Sequence, residues 1–293
     1  MNLTKESTTV GFVGTGVMGA SMAGHLMAAG YPLHVHTRTR SKALELIDKG
    51  AVWHDDVAGL ARACNLVVTI VGFPPDVEQV YLGDDGIVAN AAKGSYLVDM
   101  TTSSPDLAVR IYTEARQRGV FALDAPVSGG DVGAREARLS IMVGGDREAF
   151  DAVLPVFEIM GRNVVYQGPA GSGQHTKMAN QIAIAAGMIG VCEAIAYAKR
   201  AGLDPETVLR SIGGGAAASW SLNNLGPRMI AGNFQPGFYV KHFIKDMTIA
   251  EQAAAGMGLQ TPGLSLARKL YEQLAAEGGE NDGTQALYRL IDK

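Results

Sequence analysis

Thr9-Val10-Gly11-Phe12-Val13-Gly14-Thr15-Gly16-Val17-Met18-Gly19 is the stretch that decides the fold. Its first five residues form a short apolar, β-branched run that reads as a strand. The next six are a G-x-G-x-x-G that opens a helical pattern from Val17 to Ala29. In a chain with 37 glycines among 293 residues the motif alone carries little weight, but its context is right: strand before, helix after, second strand at Leu33-His34-Val35-His36. Read this way, Gly14 permits the tight turn, Gly16 lets a pyrophosphate approach the backbone, and Gly19 lets helix and strand pack closely. Thr15, Val17 and Met18 complete a turn whose unpaired N–H groups would hold the phosphates.

Outward from that turn the chain keeps alternating. A helical stretch over 41–49 leads to Ala51-Val52-Trp53, and further strand candidates stand at 66–71, 95–99, 120–124 and 140–143. Strands alternating with helical segments argue for βαβ units and a mostly parallel sheet. The near-continuous apolar run of 66–71 suits a strand covered on both faces. After Gly168 the texture changes. One long helix is expected from Gln174 to Arg200, apolar on most sides and buried between domains or subunits. Further helices are expected at 205–212, with Asp204 as N-cap and Pro205 at the first position, and at 244–257 and 262–276. The Gly213–Ala218 run reads as a loop. The expected fold is α/β: a doubly wound, mostly parallel sheet over residues 1–169, then an all-helical C-terminal domain over 170–293.

Composition sets the outer bounds. With 47% hydrophobic and 18% charged residues the chain is neither disordered nor fibrous. A net charge of -4 gives no basic footprint for nucleic acid or an acidic membrane. Cys64 and Cys192 read as small core residues rather than a disulfide framework. The polar N-terminus lacks a signal-peptide pattern, and no apolar run approaches the ~20 residues of a membrane span, so a cytoplasmic protein is expected. His25, His34, His36 and His54 share no ligand spacing, and no metal site is expected.

The end of the second strand bears on which dinucleotide binds. An NAD site usually carries an acidic residue there. This chain has none between Glu6 and Glu45, and has Thr37-Arg38-Thr39-Arg40-Ser41-Lys42 instead. Arg38 and Thr39 are expected to bind a 2′-phosphate, favouring NADP over NAD, whereas Arg40 and Lys42 read as a solvated helix start. Ligands of such sheets gather beyond the carboxyl ends of the strands. Val71 and Gly72 are therefore expected to wall the adenosine side, and Thr102 to reach toward the nicotinamide ribose or the substrate.

A second cluster points to proton transfer. Asp124-Ala125-Pro126-Val127-Ser128-Gly129-Gly130 follows the strand at 120–124; Ser128, Gly129 and Gly130 offer backbone N–H groups and one hydroxyl to a small carboxylate. The long helix carries Lys177, Asn180 and Gln181 on one stripe. A partly desolvated lysine suits proton exchange, and hydride transfer to a carbonyl needs a proton for the developing alkoxide. Lys177 is the expected general acid and base, with Asn180 or Gln181 orienting the substrate. His175 and His242 are the rival groups; both read as structural.

Taken together, these residues resemble the β-hydroxyacid dehydrogenase family, the 3-hydroxyisobutyrate dehydrogenase-like proteins. Four ordered motifs carry the resemblance over roughly 9–292: Phe12 to Met22, Asp124 to Gly130, Gly171 to Asn180, and Lys245-Asp246. It implies an N-terminal Rossmann domain joined by a long interdomain helix to the helical domain, with the substrate site at their interface. It also implies a catalytic Lys177, carboxylate binding at Ser128-Gly129-Gly130, cofactor contacts from Thr102 and Lys245, and a homodimer or homotetramer. Two positions depart from the family pattern: Thr15 stands where Leu is common, and Gln181 where many relatives carry Asn. Thr37-Arg38-Thr39 looks like the NADP-using, semialdehyde-reducing branch. The expected activity is interconversion of a small carboxylate-bearing β-hydroxy acid and its semialdehyde. An imine reductase on the same fold and a non-catalytic dinucleotide-binding sensor are the rivals; the presence of Lys177 counts against both.

Overall fold

The computed structural model describes residues 3–293 and divides into two compact units, Met1–Lys177 and Met178–Lys293. The first unit is built on β1 (Val10–Val13), all four residues of which are buried. That burial follows from position, since β1 has a parallel neighbour on each side: β2 (Leu33–His36) and β4 (Leu66–Thr69). β3 (Val52–Trp53) extends the sheet beyond β2, and β5 (Tyr96–Asp99) and β6 (Phe121–Asp124) extend it beyond β4. β7 (Val127–Ser128), β8 (Leu139–Gly144) and β9 (Gly161–Gly168) complete it, in the order β3-β2-β1-β4-β5-β6-β8-β7, with β9 pairing β8. The order reverses between β1 and β4, the switch point beyond whose carboxyl ends ligands of such sheets gather, and the glycine turn follows β1 there. β8 runs antiparallel to β6 and β7, which makes the sheet mixed at this end.

Most sheet elements fall where the hydrophobic pattern puts them; the two-residue β7 and the longer β9 are the strands the pattern does not announce. Arg162-Asn163-Val164-Val165-Tyr166-Gln167 is half polar because β9 pairs only β8, through a register with two irregularities. A strand with an open edge needs no continuous apolar run. The helix after β1 is likewise shorter than expected: it spans Gly19–Ala28, and residues 15–18 belong to the turn.

The helical unit packs around Phe243, Met247, Leu264, Tyr271 and Leu287, all buried. Phe243 and Tyr271 meet edge to face at 5.1 Å, a favoured aromatic geometry. Helices at Pro205–Ile212 and Pro262–Leu274 match the sequence pattern, and Asp204 caps the first through Glu206 N and Thr207 N. Val240–Gly256 begins four residues ahead of the expected start. The helix Trp220–Ile230 lacks a clear signature because it follows the glycine-rich loop and contains Pro227; Ser219 starts it by accepting from Leu222 N. Trp220, the first residue of this helix, is exposed.

The long helix runs from Ser172 to Arg200, and the division between the units falls inside it. Among the described residues it is the one helix long and apolar enough to cross a membrane, with a mean hydropathy of 1.6 over an 18-residue window, more apolar than its sequence first suggests. Half of that window is buried within the fold. A stripe of small residues, Ala179, Ala183, Gly187 and Gly190, remains exposed.

Candidate active site

The glycine turn fixes its own geometry. The backbone at Gly14 takes φ +98°, its N–H donates to His36 O at 2.9 Å, and a side chain there would strike the Ile70 carbonyl oxygen. A Cβ on Gly19 would run into the Gly14 carbonyl oxygen and lie 2.9 Å from Ile70 Cγ2, so the first helical turn rests against the ends of β1 and β4. Gly16, between these two crowded positions, has nothing within 4 Å of where a Cβ would sit. The first ladder bonds run from Ala20 N to Gly16 O and Met22 N to Met18 O, so the amides of the turn precede the helical ladder. Two closed glycines around one open glycine form a cradle that a dinucleotide pyrophosphate fits. Thr15 is buried with its hydroxyl unpartnered among the described residues, whereas Val17 is exposed.

At the end of β2, Arg38 and Thr39 are both exposed. Arg38 Nη1 pairs with Asp76 Oδ1 at 3.0 Å, and Asp76 Oδ2 accepts from Phe73 N at 3.0 Å. This pair ties the loop after β2 to the helix Pro74–Leu82 that follows β4. Val71 N donates to Thr101 Oγ1 at 3.0 Å; Val71, Gly72 and Thr102 are half-buried. Arg40 lies over the Trp53 ring at 5.4 Å, a packing contact rather than a purely solvated position.

Beyond β4, β5 and β6 lies a buried polar network. Asp99 Oδ1 accepts from Thr69 Oγ1 at 2.8 Å and from Thr101 N at 3.0 Å. Asp124 accepts from two amides at the start of the long helix, Gly171 N on Oδ1 and Gln174 N on Oδ2, each at 2.8 Å. Gln174 then bonds the β5 loop at both ends of its side chain: Ser103 N donates to Oε1 at 3.0 Å, and Nε2 donates to Thr101 O at 2.7 Å. Burial pushes the Asp124 carboxyl up to about 6; the two helix amides pull it back, and the Asp99 charge adds to the rise. The start of the long helix is thereby pinned to the strand ends.

Lys177 follows one turn later. It is 7% exposed, and its Nζ donates to Val127 O at 2.8 Å. Val127 leads into Ser128, Gly129 and Gly130, where Ser128 is half-buried and the two glycines take φ +134° and +63°. Only glycine adopts the first of these without strain. The lysine thus stands beside the loop expected to hold a carboxylate, within one compact unit that also carries the glycine turn. His175 is exposed.

In the helical unit Gln181 is fully buried and bonded at both ends: Asn180 Nδ2 donates to its Oε1 at 2.7 Å, and its Nε2 donates to Asp246 Oδ2 at 2.5 Å. Asn180 is the half-buried amide of the pair. Lys245 Nζ pairs with Asp246 Oδ1 at 3.1 Å. Burial holds His242 below the usual histidine range, and the Lys245 and Lys241 charges push the same way against Asp246. Among the described residues no group of three or more His, Cys, Asp or Glu could hold a metal ion.

Sequence reasoning missed Asp76 and Asp99 as members of the site, and took in Asp124 and Gln174 only as motif residues without a role. Asp99 and Asp124 did carry a signal, an acid closing an otherwise apolar strand, and Asp76 stands in the first turn of a helix that begins with two prolines.

Comparison with known proteins bears on the family and the fold. Residues 9–168 match the family model described as the NAD binding domain of 6-phosphogluconate dehydrogenase. Residues 171–291 match that described as the NAD-binding domain of NADP-dependent 3-hydroxyisobutyrate dehydrogenase. The chain is 61% identical to an uncharacterized oxidoreductase of Bacillus subtilis, over 96% of this chain and 98% of the relative. It is 46% identical to a probable mitochondrial 3-hydroxyisobutyrate dehydrogenase-like protein of Arabidopsis thaliana, over 99% and 87%. It is 39% identical to the 2-hydroxy-3-oxopropionate reductase of Escherichia coli, over 97% of each. The structure of Mycobacterium tuberculosis 3-hydroxyisobutyrate dehydrogenase with L-serine superposes with a TM-score of 0.90 at 28% identity, covering 98% of this chain and 99% of that one.

Proposed function

Because the chain belongs to the β-hydroxyacid dehydrogenase family, we propose that it is an NADP-preferring oxidoreductase that interconverts a small β-hydroxy acid and its semialdehyde, with Lys177 as general acid and base. The observation that carries this reading is the placement of Lys177 Nζ, 2.8 Å from Val127 O beside Ser128-Gly129-Gly130. When bound, the nicotinamide supplies the hydride for reduction and accepts it in oxidation. The chain's own groups do the rest. Lys177 gives a proton to the carbonyl oxygen as negative charge develops there, and takes it back from the hydroxyl in the reverse direction. The Ser128 hydroxyl and the glycine amides after it hold the substrate carboxylate. Asn180, on the Lys177 stripe of the same helix, orients the reacting oxygen, while Gln181 keeps that amide in place through its bonds to Asn180 and Asp246.

The name of the Escherichia coli relative describes a three-carbon acid bearing an aldehyde, the substrate class proposed here. NADP preference rests on Arg38 and on the lack of an acid on β2. The exposed small residues of the long helix suit close approach of a second copy, so the working form is proposed as a homodimer or homotetramer. The test is a panel of two- to four-carbon carbonyl compounds with NADPH, half of them bearing a carboxylate. Rapid NADPH oxidation confined to the carboxylate-bearing semialdehydes is expected. Tight NADPH binding without turnover of any of them would replace this reading with that of a sensor; cyclic imines assayed beside the panel test the remaining rival, and their turnover in place of the semialdehydes would replace it with that of an imine reductase.

A further inference from the structure

The acid that β2 lacks arrives from another element. Asp76, in the first turn of the helix Pro74–Leu82, stands 3.0 Å from Arg38 although 38 positions separate them. Its carboxylate is the fixed member of the pair. Oδ2 is held by Phe73 N, a Cβ on Gly72 would lie 2.9 Å from that same oxygen, and the next residue, Val77, is fully buried. The Arg38 side chain is 81% exposed against 25% for Asp76, so the guanidinium is the partner with room to move.

We propose that Asp76 is the specificity-determining carboxylate of the dinucleotide site: it holds Arg38 and opposes a 2′-phosphate, so that the chain accepts NAD as well as NADP. This rests on the reading that Arg38 binds the 2′-phosphate. A guanidinium has five N–H donors, and one bonded to Asp76 leaves others for a phosphate. A phosphate that shares Arg38 then faces the carboxylate across the guanidinium, and like charges about 7 Å apart near a surface repel enough to cost several-fold in affinity. The unmodified ribose of NAD carries a hydroxyl there, a donor that meets no such penalty. A carboxylate that only oriented Arg38 would act with the opposite sign, since its loss would weaken NADP binding.

The experiment measures dissociation constants for NADPH and NADH, by nucleotide fluorescence with no substrate present, for the full chain and for Asp76→Asn, Asp76→Ser and Arg38→Ala. Asn and Ser each keep an acceptor for Phe73 N, and thermal melts report whether each variant is folded. The expected result is a preference for NADPH over NADH that rises about 3- to 10-fold in both Asp76 variants, through tighter NADPH binding, and that shrinks at high salt. An unchanged or lowered preference in folded Asp76 variants overturns the proposal. Arg38→Ala tests the underlying reading separately. Loss of NADPH preference there upholds the 2′-phosphate assignment and leaves Asp76 to its own variants; no loss discards the assignment and the proposal with it.

Discussion

Gly14 and Gly16 stand two residues apart and answer to different constraints. Gly14 is required by the fold, since its φ of +98° and the Ile70 carbonyl oxygen both exclude a side chain. Gly16 meets no protein atom within 4 Å, so what would exclude a side chain there is a ligand. Gly14→Ala is therefore expected to cost about 2–4 kcal/mol of stability, read from urea denaturation. Gly16→Ala should leave stability within about 0.5 kcal/mol while NADPH binding, read by fluorescence titration, falls at least ~10-fold as the pyrophosphate loses its approach. Equal effects on stability would remove the distinction. The backbone demands at Gly14 and Gly19 were legible in the sequence because they are local. Asp76 was not, because nothing near β2 announces an acid supplied from beyond β4.

At the scale of the element, the start of the long helix is where local pattern ends and tertiary structure takes over. Asp124 accepts from two amides there, and a helix N-terminus favours an anion. Burial nonetheless lifts its carboxyl from the ordinary 3.8 to about 6. A carboxyl whose folded value is raised binds more protons in the folded state between those two values, so its contribution to stability falls as pH rises from about 4 to about 6. Wild type is expected to lose stability relative to Asp124→Asn across that window in paired urea denaturations. A difference between the two that does not change with pH would contradict the assignment. The motif around Asp124 was readable, but its partners lie 47 and 50 residues further on, and no spacing rule connects them. β9 and the helix Trp220–Ile230 escaped for a related reason: an open edge and a capping serine replaced the apolar periodicity that marks the other elements.

For the whole molecule, the sequence was informative where burial on both faces imposes a pattern, as in β1, β4 and β5, and where a resemblance spans nearly the entire chain. It was less informative about which polar groups meet. Lys177 could be placed on a stripe with Asn180 and Gln181, but its bond to Val127 O, and the burial of Gln181 against Asp246, come from packing. That bond sets the proposed proton donor against the proposed carboxylate loop, within the unit that also carries the glycine turn, and the proposed chemistry depends on it. The measurement that tests this most directly is the single-turnover rate of NADPH oxidation for Lys177→Ala with the semialdehyde that wild type turns over, beside its NADPH dissociation constant. A rate at least ~100-fold lower with a dissociation constant within about 3-fold of wild type is the expected result. A variant that binds NADPH normally and still turns over at near the wild-type rate would contradict the account.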